Sequence, residues 1–173
     1  MGFLDFFTSS NSPPQPPTIE SILPPAAADE INKGRLPQIN STSVFLKSGE
    51  ICHFIEKAIR MKDKVKTSVV RQGGGYSMPG LFSGDRLRLM RSRADIEENT
   101  VTEQFRGIVY VTNSRFIFQA TKNGFVKPHT SLTAISPFTN AVDLQYGATC
   151  YTLIVPDGNL INTLMNLIHS KIT

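Results

Sequence analysis

The residues of this chain able to do chemistry are few and scattered. His53, His129 and His169 stand far apart, and no set of Cys and His has metal-ligand spacing. Cys52 directly precedes His53, but neighbours on a strand point to opposite faces, which argues against a thiolate–imidazole pair. Cys52 and Cys150 form no CxxC motif and read as unpaired buried thiols in a reducing compartment. Asp95, Glu97 and Glu98 cluster in a polar stretch and read as a solvated turn rather than a general acid–base pair.

The other candidate is the glycine-rich run "RQGGGYSMPGLFSGDR", residues 71–86. It lacks the Lys-Ser/Thr ending of a P-loop. It is not a G-x-G-x-x-G opening a helix, because Pro79 and strand-like residues follow. Pro79 also replaces the last glycine of a G-x-S-x-G nucleophile turn. Phosphate-cradling loops work by feeding a helix N-terminus, and no helical pattern follows here. The run reads as a glycine-loosened connection between strands, with Tyr76, Leu81 and Phe82 as contact residues. No catalytic residue, cofactor site or metal site is expected, and the chain reads as a non-enzyme.

Charge is more informative. The chain carries +4 overall. Residues 51–93 hold ten Lys or Arg against three acids. Lys57, Arg60, Lys62, Lys64, Lys66, Arg71, Arg86 and Arg88 are the basic candidates for ligand or partner contact, with Tyr76 and Phe82 beside them. Such a segment attracts anionic lipid, an acidic protein or nucleic acid. Nucleic acid ranks last, because few aromatics are interleaved for base stacking. The overall balance is also only mildly basic for that task.

These residues need a scaffold. A 40% hydrophobic composition with 11 Phe can bury a core. No apolar run is long enough to span a bilayer. "MGFLDFF" lacks the basic region and cleavage site of a secretory signal, and Phe6 stands where a myristoylation signal wants Ser or Thr. The expectation is a cytoplasmic protein, with peripheral membrane contact open to it. Residues 1–42 read as an extension: an apolar tip, a Pro-rich linker over 8–18, and a short helix in "PPAAADEINKG" closed by Gly34.

Strands follow. Ile51, Ile55 and Ile59 allow either strand or helix, and periodicity alone does not decide between them. "TSVVRQ" and "DRLRLMRS" read as strands around the glycine loop, and "RADIEENTVTEQFR" as a polar loop. In "GIVYVTNSRFIFQATKNGF" a turn at Asn113-Ser114 pairs Val111 with Phe116 and Val109 with Phe118, putting those four on one core face. A second turn falls at Asn123-Gly124, with Gly124 supplying the positive φ. "LTAISPF", "AVDLQYG" and "CYTLIVP" give three further strands. Leu160, Ile161, Leu164, Met165, Leu167 and Ile168 then recur at helical spacing after a cap at Asp157 or Asn159. Strands followed by one helix argue an antiparallel α+β unit.

Three stretches carry a resemblance: "FLKSGEICH" at 45–53, "GIVYVTNSRFIF" at 107–118 and "SLTAI" at 131–135. Together they resemble the pleckstrin-homology-like (PH-like) superfamily, closest to GRAM and bacterial PH-like domains, over residues 43–173. The resemblance implies a mainly β, strongly bent antiparallel sheet of about seven strands, a roll capped by a C-terminal amphipathic helix. It also implies a binding or adaptor module contacting a partner protein or an anionic membrane. The family's usual K-then-R-x-R phosphoinositide pattern is not reproduced here. The rival expectations are an assembly protein that self-associates through a sheet edge or helix, and weak nucleic-acid binding through the 57–93 segment.

Overall fold

Among the described residues, alternating and helical hydrophobic patterns become seven strands and two α-helices. The structure is a computed structural model. It describes residues 17–40, 43–79 and 86–172, with side chains described for all of these except 66–79, 86–99 and 172. Helix α1 spans Pro25–Asn32. Strands follow as β1 (Cys52–Pro79), β2 (Arg86–Thr112), β3 (Arg115–Ala120), β4 (Phe125–Pro128), β5 (Ala134–Phe138), β6 (Ala141–Tyr146) and β7 (Thr149–Ile154). Helix α2, Gly158–Ile172, closes the chain. The sheet order is β4-β3-β2-β1-β7-β6-β5, so β4 and β5 are its edges. The β2–β3, β3–β4, β5–β6 and β6–β7 pairings are antiparallel. This is the expected α+β, mainly β architecture with a C-terminal helix.

The chain forms two compact units. One comprises the residues up to Arg60 and from Phe105 onward; the other is Met61–Gln104.

In the first unit the expected hairpin register is found: Val111 lies opposite Phe116 and Val109 opposite Phe118. All four are at most 1% exposed and join one core with Phe54, Leu144, Leu153 and the α2 residues Ile161, Leu164, Met165 and Ile168. Tyr110 and Ile117, on the other face, form a smaller cluster with Cys52. Asp157 is the helix cap: its Oδ1 accepts the backbone N–H groups of Asn159 and Leu160 at 2.9 and 3.1 Å. The helix starts against the β5–β6 turn, where a Cβ on Gly158 would stand 1.8 Å from the Ala141 carbonyl oxygen.

The N-terminal helix belongs to the same core. Leu23, Ala27 and Ile31 are buried in it. Glu56, 3% exposed on β1, holds the preceding chain: its Oε2 accepts the Ser21 hydroxyl at 2.5 Å and its Oε1 accepts Ile22 N–H at 2.8 Å. The segment read from sequence as an extension is tied into the sheet from Ser21 onward.

Two of the three stretches behind the family resemblance, 45–53 and 107–118, turn out to be neighbours. Glu50 of "SGE" accepts Arg115 Nε at 2.7 Å, the Thr112 hydroxyl at 2.7 Å and the Ser114 hydroxyl at 3.0 Å on Oε1. Its Oε2 takes Arg115 Nη2 at 3.0 Å and Lys47 N–H at 2.8 Å. The Asn113 side chain accepts Ile51 N–H and donates to the Gly49 carbonyl, both at 3.1 Å. The motif residues thus pin the entry of β1 to the β2–β3 turn.

Three local expectations are corrected. The turn at 123–124 places its positive φ on Asn123, at 57°, not on Gly124. Asn tolerates this conformation. Gly124 is required by space, because a Cβ there would stand 2.9 Å from the Phe118 carbonyl oxygen. Gly73, Gly74 and Gly75 lie within β1 rather than in a loop, while residues 80–85 lie outside the described residues. The polar stretch 93–106 is part of β2, not a loop. Its described residues show why: Thr100, Val101, Thr102, Gln104 and Arg106 are exposed and Glu103 and Phe105 only partly buried, so no apolar alternation is needed there. Cross-strand polar pairs serve instead: Thr102 Oγ1 donates to Asp63 Oδ1 at 2.6 Å and Lys64 Nζ lies 3.7 Å from Glu103.

Candidate ligand-contact site

Strand alternation carries β1 from core residues Phe54 and Ala58 to Arg60 on the same face. On that face the guanidinium follows Phe54, the buried carboxylate Glu56 and Ala58. Its Cζ lies 4.7 Å from the Tyr151 ring centroid and 5.5 Å from that of Phe125. These two rings are 4.1 Å apart, and Tyr146 meets Tyr151 edge-on at 5.9 Å. Strands β1, β4, β6 and β7 each supply one or more members. The Asn123 turn delivers Phe125 as the first residue of β4, and Asn123 also accepts Arg60 Nη1 on its carbonyl at 2.5 Å. Guanidinium–aromatic contacts of this kind are worth about 0.5–2 kcal/mol each.

The site has unmet hydrogen-bonding capacity. Arg60 Nε and the Tyr146 hydroxyl are buried with no hydrogen-bond partner among the described residues. Among those residues, no carboxylate lies within ion-pair distance of Arg60; the ion pairs there are Lys64–Glu103 and Arg115–Glu50. Burial, and then the neighbouring Tyr151, push the Tyr146 hydroxyl pKa well above its usual value, so it stays protonated. A guanidinium over two aromatic rings suits an anionic oxygen group, which Arg recognises by planar, paired N–H bonds.

The other residues singled out by charge are placed differently. Lys57 is exposed and lines a shallow cavity of about 220 Å³ with Ile59, Arg106 and Glu20. Lys62 and Lys64 are exposed in the second unit. The exposed Lys64–Glu103 pair adds little stability. The side chains of Lys66, Arg71, Tyr76, Arg86 and Arg88, and all of Phe82, lie outside the described residues. Among the candidates with described side chains, Arg60 alone is brought against aromatic residues, and Phe125, Tyr146 and Tyr151 were not anticipated. The signal for them was alternation across the β6–β7 hairpin, which puts Tyr146 and Tyr151 on the core face, and the turn that begins β4 at Phe125.

The scattered nucleophiles and imidazoles have structural partners. His53 Nδ1 lies 2.6 Å from the Pro37 carbonyl oxygen, and His129 Nε2 lies 2.7 Å from that of Thr112. No group of three or more His, Cys, Asp or Glu among the described residues could hold a metal ion. Both cysteines are free. Cys52 is buried, with its Sγ 3.3 Å from the Phe54 carbonyl oxygen, whereas Cys150 is exposed, contrary to the expectation of two buried thiols. Burial is the main cause raising both thiol pKa values, so neither is an activated nucleophile. No described helix is long and apolar enough to cross a membrane. Comparison with known proteins found no matching family model, no matching curated protein and no matching solved structure.

Proposed function

We propose that the chain is a non-enzymatic, PH/GRAM-like binding or adaptor module that takes an anionic group of a partner protein or of a membrane surface at Arg60. The observation carrying this reading is the Arg60 environment: a guanidinium stacked on Tyr151 and Phe125, without a carboxylate partner among the described residues and with its Nε unbonded. The expected PH-like order of seven strands and a terminal helix supports the scaffold part of the proposal. The +7 balance of residues 51–93 would strengthen attraction to the same ligands by long-range electrostatics.

The test is co-sedimentation at low ionic strength with phosphatidylserine vesicles and, in parallel, pull-down on immobilised polyglutamate. The wild-type chain binds one of these and loses it in high salt, and Arg60→Met abolishes it at unchanged circular dichroism. Retention of full binding by Arg60→Met, or binding to neither probe, removes the reading.

A second reading has its own observation. Phe45 is 98% exposed and Val126, on edge strand β4, is 51% exposed, beside an open groove of about 500 Å³ floored by Ile117. Exposed apolar groups beside a free strand edge suit self-association. Sedimentation equilibrium across a wide concentration range distinguishes it: a strict monomer, unchanged by Phe45→Ser, excludes this reading. Nucleic acid binding through the 57–93 segment would show as a mobility shift at low ionic strength.

A further inference from the structure

The most exposed large apolar side chain among the described residues is Phe45, at 98%. Its neighbours Val44 and Leu46 pack on the smaller cluster of Cys52, Tyr110 and Ile117, so the segment is seated on the sheet while Phe45 is left to solvent. The open groove beside it, about 500 Å³, is also lined by Ile117 and Val126. These two lie opposite each other on β3 and β4 and so share one sheet face. Val126 is half exposed. An apolar floor with exposed apolar rims marks an interaction site.

The same chain holds a segment of matching composition and reach. Residues 1–16 lie outside the described residues. Within them Phe3, Leu4, Phe6 and Phe7 surround a single acid, Asp5. Residues 8–16 carry no aliphatic or aromatic side chain beyond proline, so the apolar groups are concentrated at the tip. The described chain begins at Pro17, which lines a small cavity with Ile59, Arg106 and Gly107. Gly107 lies directly opposite Ala120, and Ala120 lines the groove. The linker therefore starts close to one end of the groove. Arg115 marks the other end, where its Nη2 donates to the Phe45 carbonyl at 2.9 Å.

The distances fit. From Ala120 to Arg115 the groove runs about 17 Å along β3. The linker over 8–16 reaches up to about 30 Å. An apolar peptide this short binds weakly by itself, but a short tether holds it at an effective concentration on the order of 1 mM. We propose that the apolar tip, residues 3–7, folds back and docks in the groove between Phe45 and the β3–β4 edge of its own chain, as an intramolecular cover. It claims the groove that self-association would use, and it does not rest on anion binding at Arg60.

The test is methyl nuclear magnetic resonance of the full chain across a wide concentration range, comparing the wild type with a variant carrying Phe3→Ser, Leu4→Ser, Phe6→Ser and Phe7→Ser. Loss of the tip rings is expected to shift the Val44, Ile117 and Val126 signals, equally at every concentration. Those of Val109 and Val111, on the core face, stay in place. Val126→Asp puts a charge in the groove and releases the tip, so chymotrypsin cleaves after Phe6 or Phe7 faster than in the wild type. Should Val126→Asp move the Val109 and Val111 signals and so prove misfolded, Phe45→Ser takes its place. Groove signals that ignore the tip variant overturn the proposal, as does equal cleavage of the wild type and the folded groove variant. Shifts that fade on dilution also overturn it, because they assign the groove to the tip of a second copy. Loss of binding to phosphatidylserine vesicles in the tip variant, with the groove signals unmoved, overturns it in favour of a tip that contacts membrane.

Discussion

The Glu50 carboxylate grips the Arg115 guanidinium at both oxygens, Oε1 to Nε at 2.7 Å and Oε2 to Nη2 at 3.0 Å. Glu50 precedes β1 and Arg115 opens β3, so one ion pair closes the chain entry onto the β2–β3 turn. The side chains are 2% and 19% exposed, so this pair is shielded from solvent. Removing one partner strands the other. Glu50→Ala is expected to cost about 3 kcal/mol or more in urea unfolding. Arg115→Lys should also destabilise clearly, since Lys cannot make the two parallel bonds. A loss below half a kcal/mol, roughly the scale of a neutral surface change, would contradict this role.

The same carboxylate sets an acid limit. Burial raises its pKa, but hydrogen bonds from Arg115, Lys47 N–H, Thr112 and Ser114 outweigh burial and hold it at about 2, below the usual 4.5. The unfolded chain therefore takes up this proton first. The stabilisation is complete above about pH 4.5 and is lost as pH falls through about 2. Unfolding free energies measured from pH 6 to pH 2 should fall more steeply for the wild type than for Glu50→Gln. Parallel curves would show that Glu50 is not the group responsible.

Gly158 and Gly124 are expected to reject alanine for steric reasons. A Cβ at 158 meets the Ala141 carbonyl oxygen at 1.8 Å and that of Phe138 at 2.4 Å; one at 124 meets the Phe118 carbonyl oxygen at 2.9 Å. The backbone of the β5–β6 turn must move to admit the first. Gly158→Ala should cost upwards of about 2 kcal/mol, more than Gly124→Ala. Asn123→Gly should be near neutral, because glycine accepts the φ of 57° that Asn123 adopts. Thermal melts of the three variants give the ranking directly, and a tolerant Gly158→Ala would count against the α2 packing described above.

The N-terminal helix should behave as core. Ile31 is fully buried, so Ile31→Ala is expected to lose about 2–5 kcal/mol. Glu56→Ala leaves Ile22 N–H and the Ser21 hydroxyl without their acceptor and should lose about 1–3 kcal/mol. Hydrogen exchange provides a second check: the α1 amides should exchange with the sheet's slow set. Fast exchange in α1 alone would mark it as a detachable appendage.

Local patterns were legible wherever one face of an element is buried. Val109, Val111, Phe116 and Phe118 alternate because they share a core face, and the pairing followed from turn position and period alone. Leu160 to Ile168 recur at helical spacing for the same reason. The stretch 93–106 was misread because, over its described residues 100–106, neither face is buried and no alternation is there to read. The Asn123–Gly124 turn was placed correctly, but the residue bearing the positive φ was not, because the close approach of Phe118 is invisible in the sequence.

At the candidate site, sequence pointed to Arg60 as one of many basic residues and could rank none of them. Its distinction comes from Phe125 and Tyr151, which reach it from two other strands, with Tyr146 edge-on against Tyr151. Sequence by itself determined the run of strands, the terminal amphipathic helix and the hairpin register, because these depend on periodicity and on neighbours a few residues away. Tertiary structure alone decided that Glu50 meets Arg115, that Glu56 holds the N-terminal segment, and that Arg60 lies on aromatic rings. Each of those contacts joins residues remote in the chain, and their energies depend on burial and on distances of a few ångströms that only the assembled sheet defines.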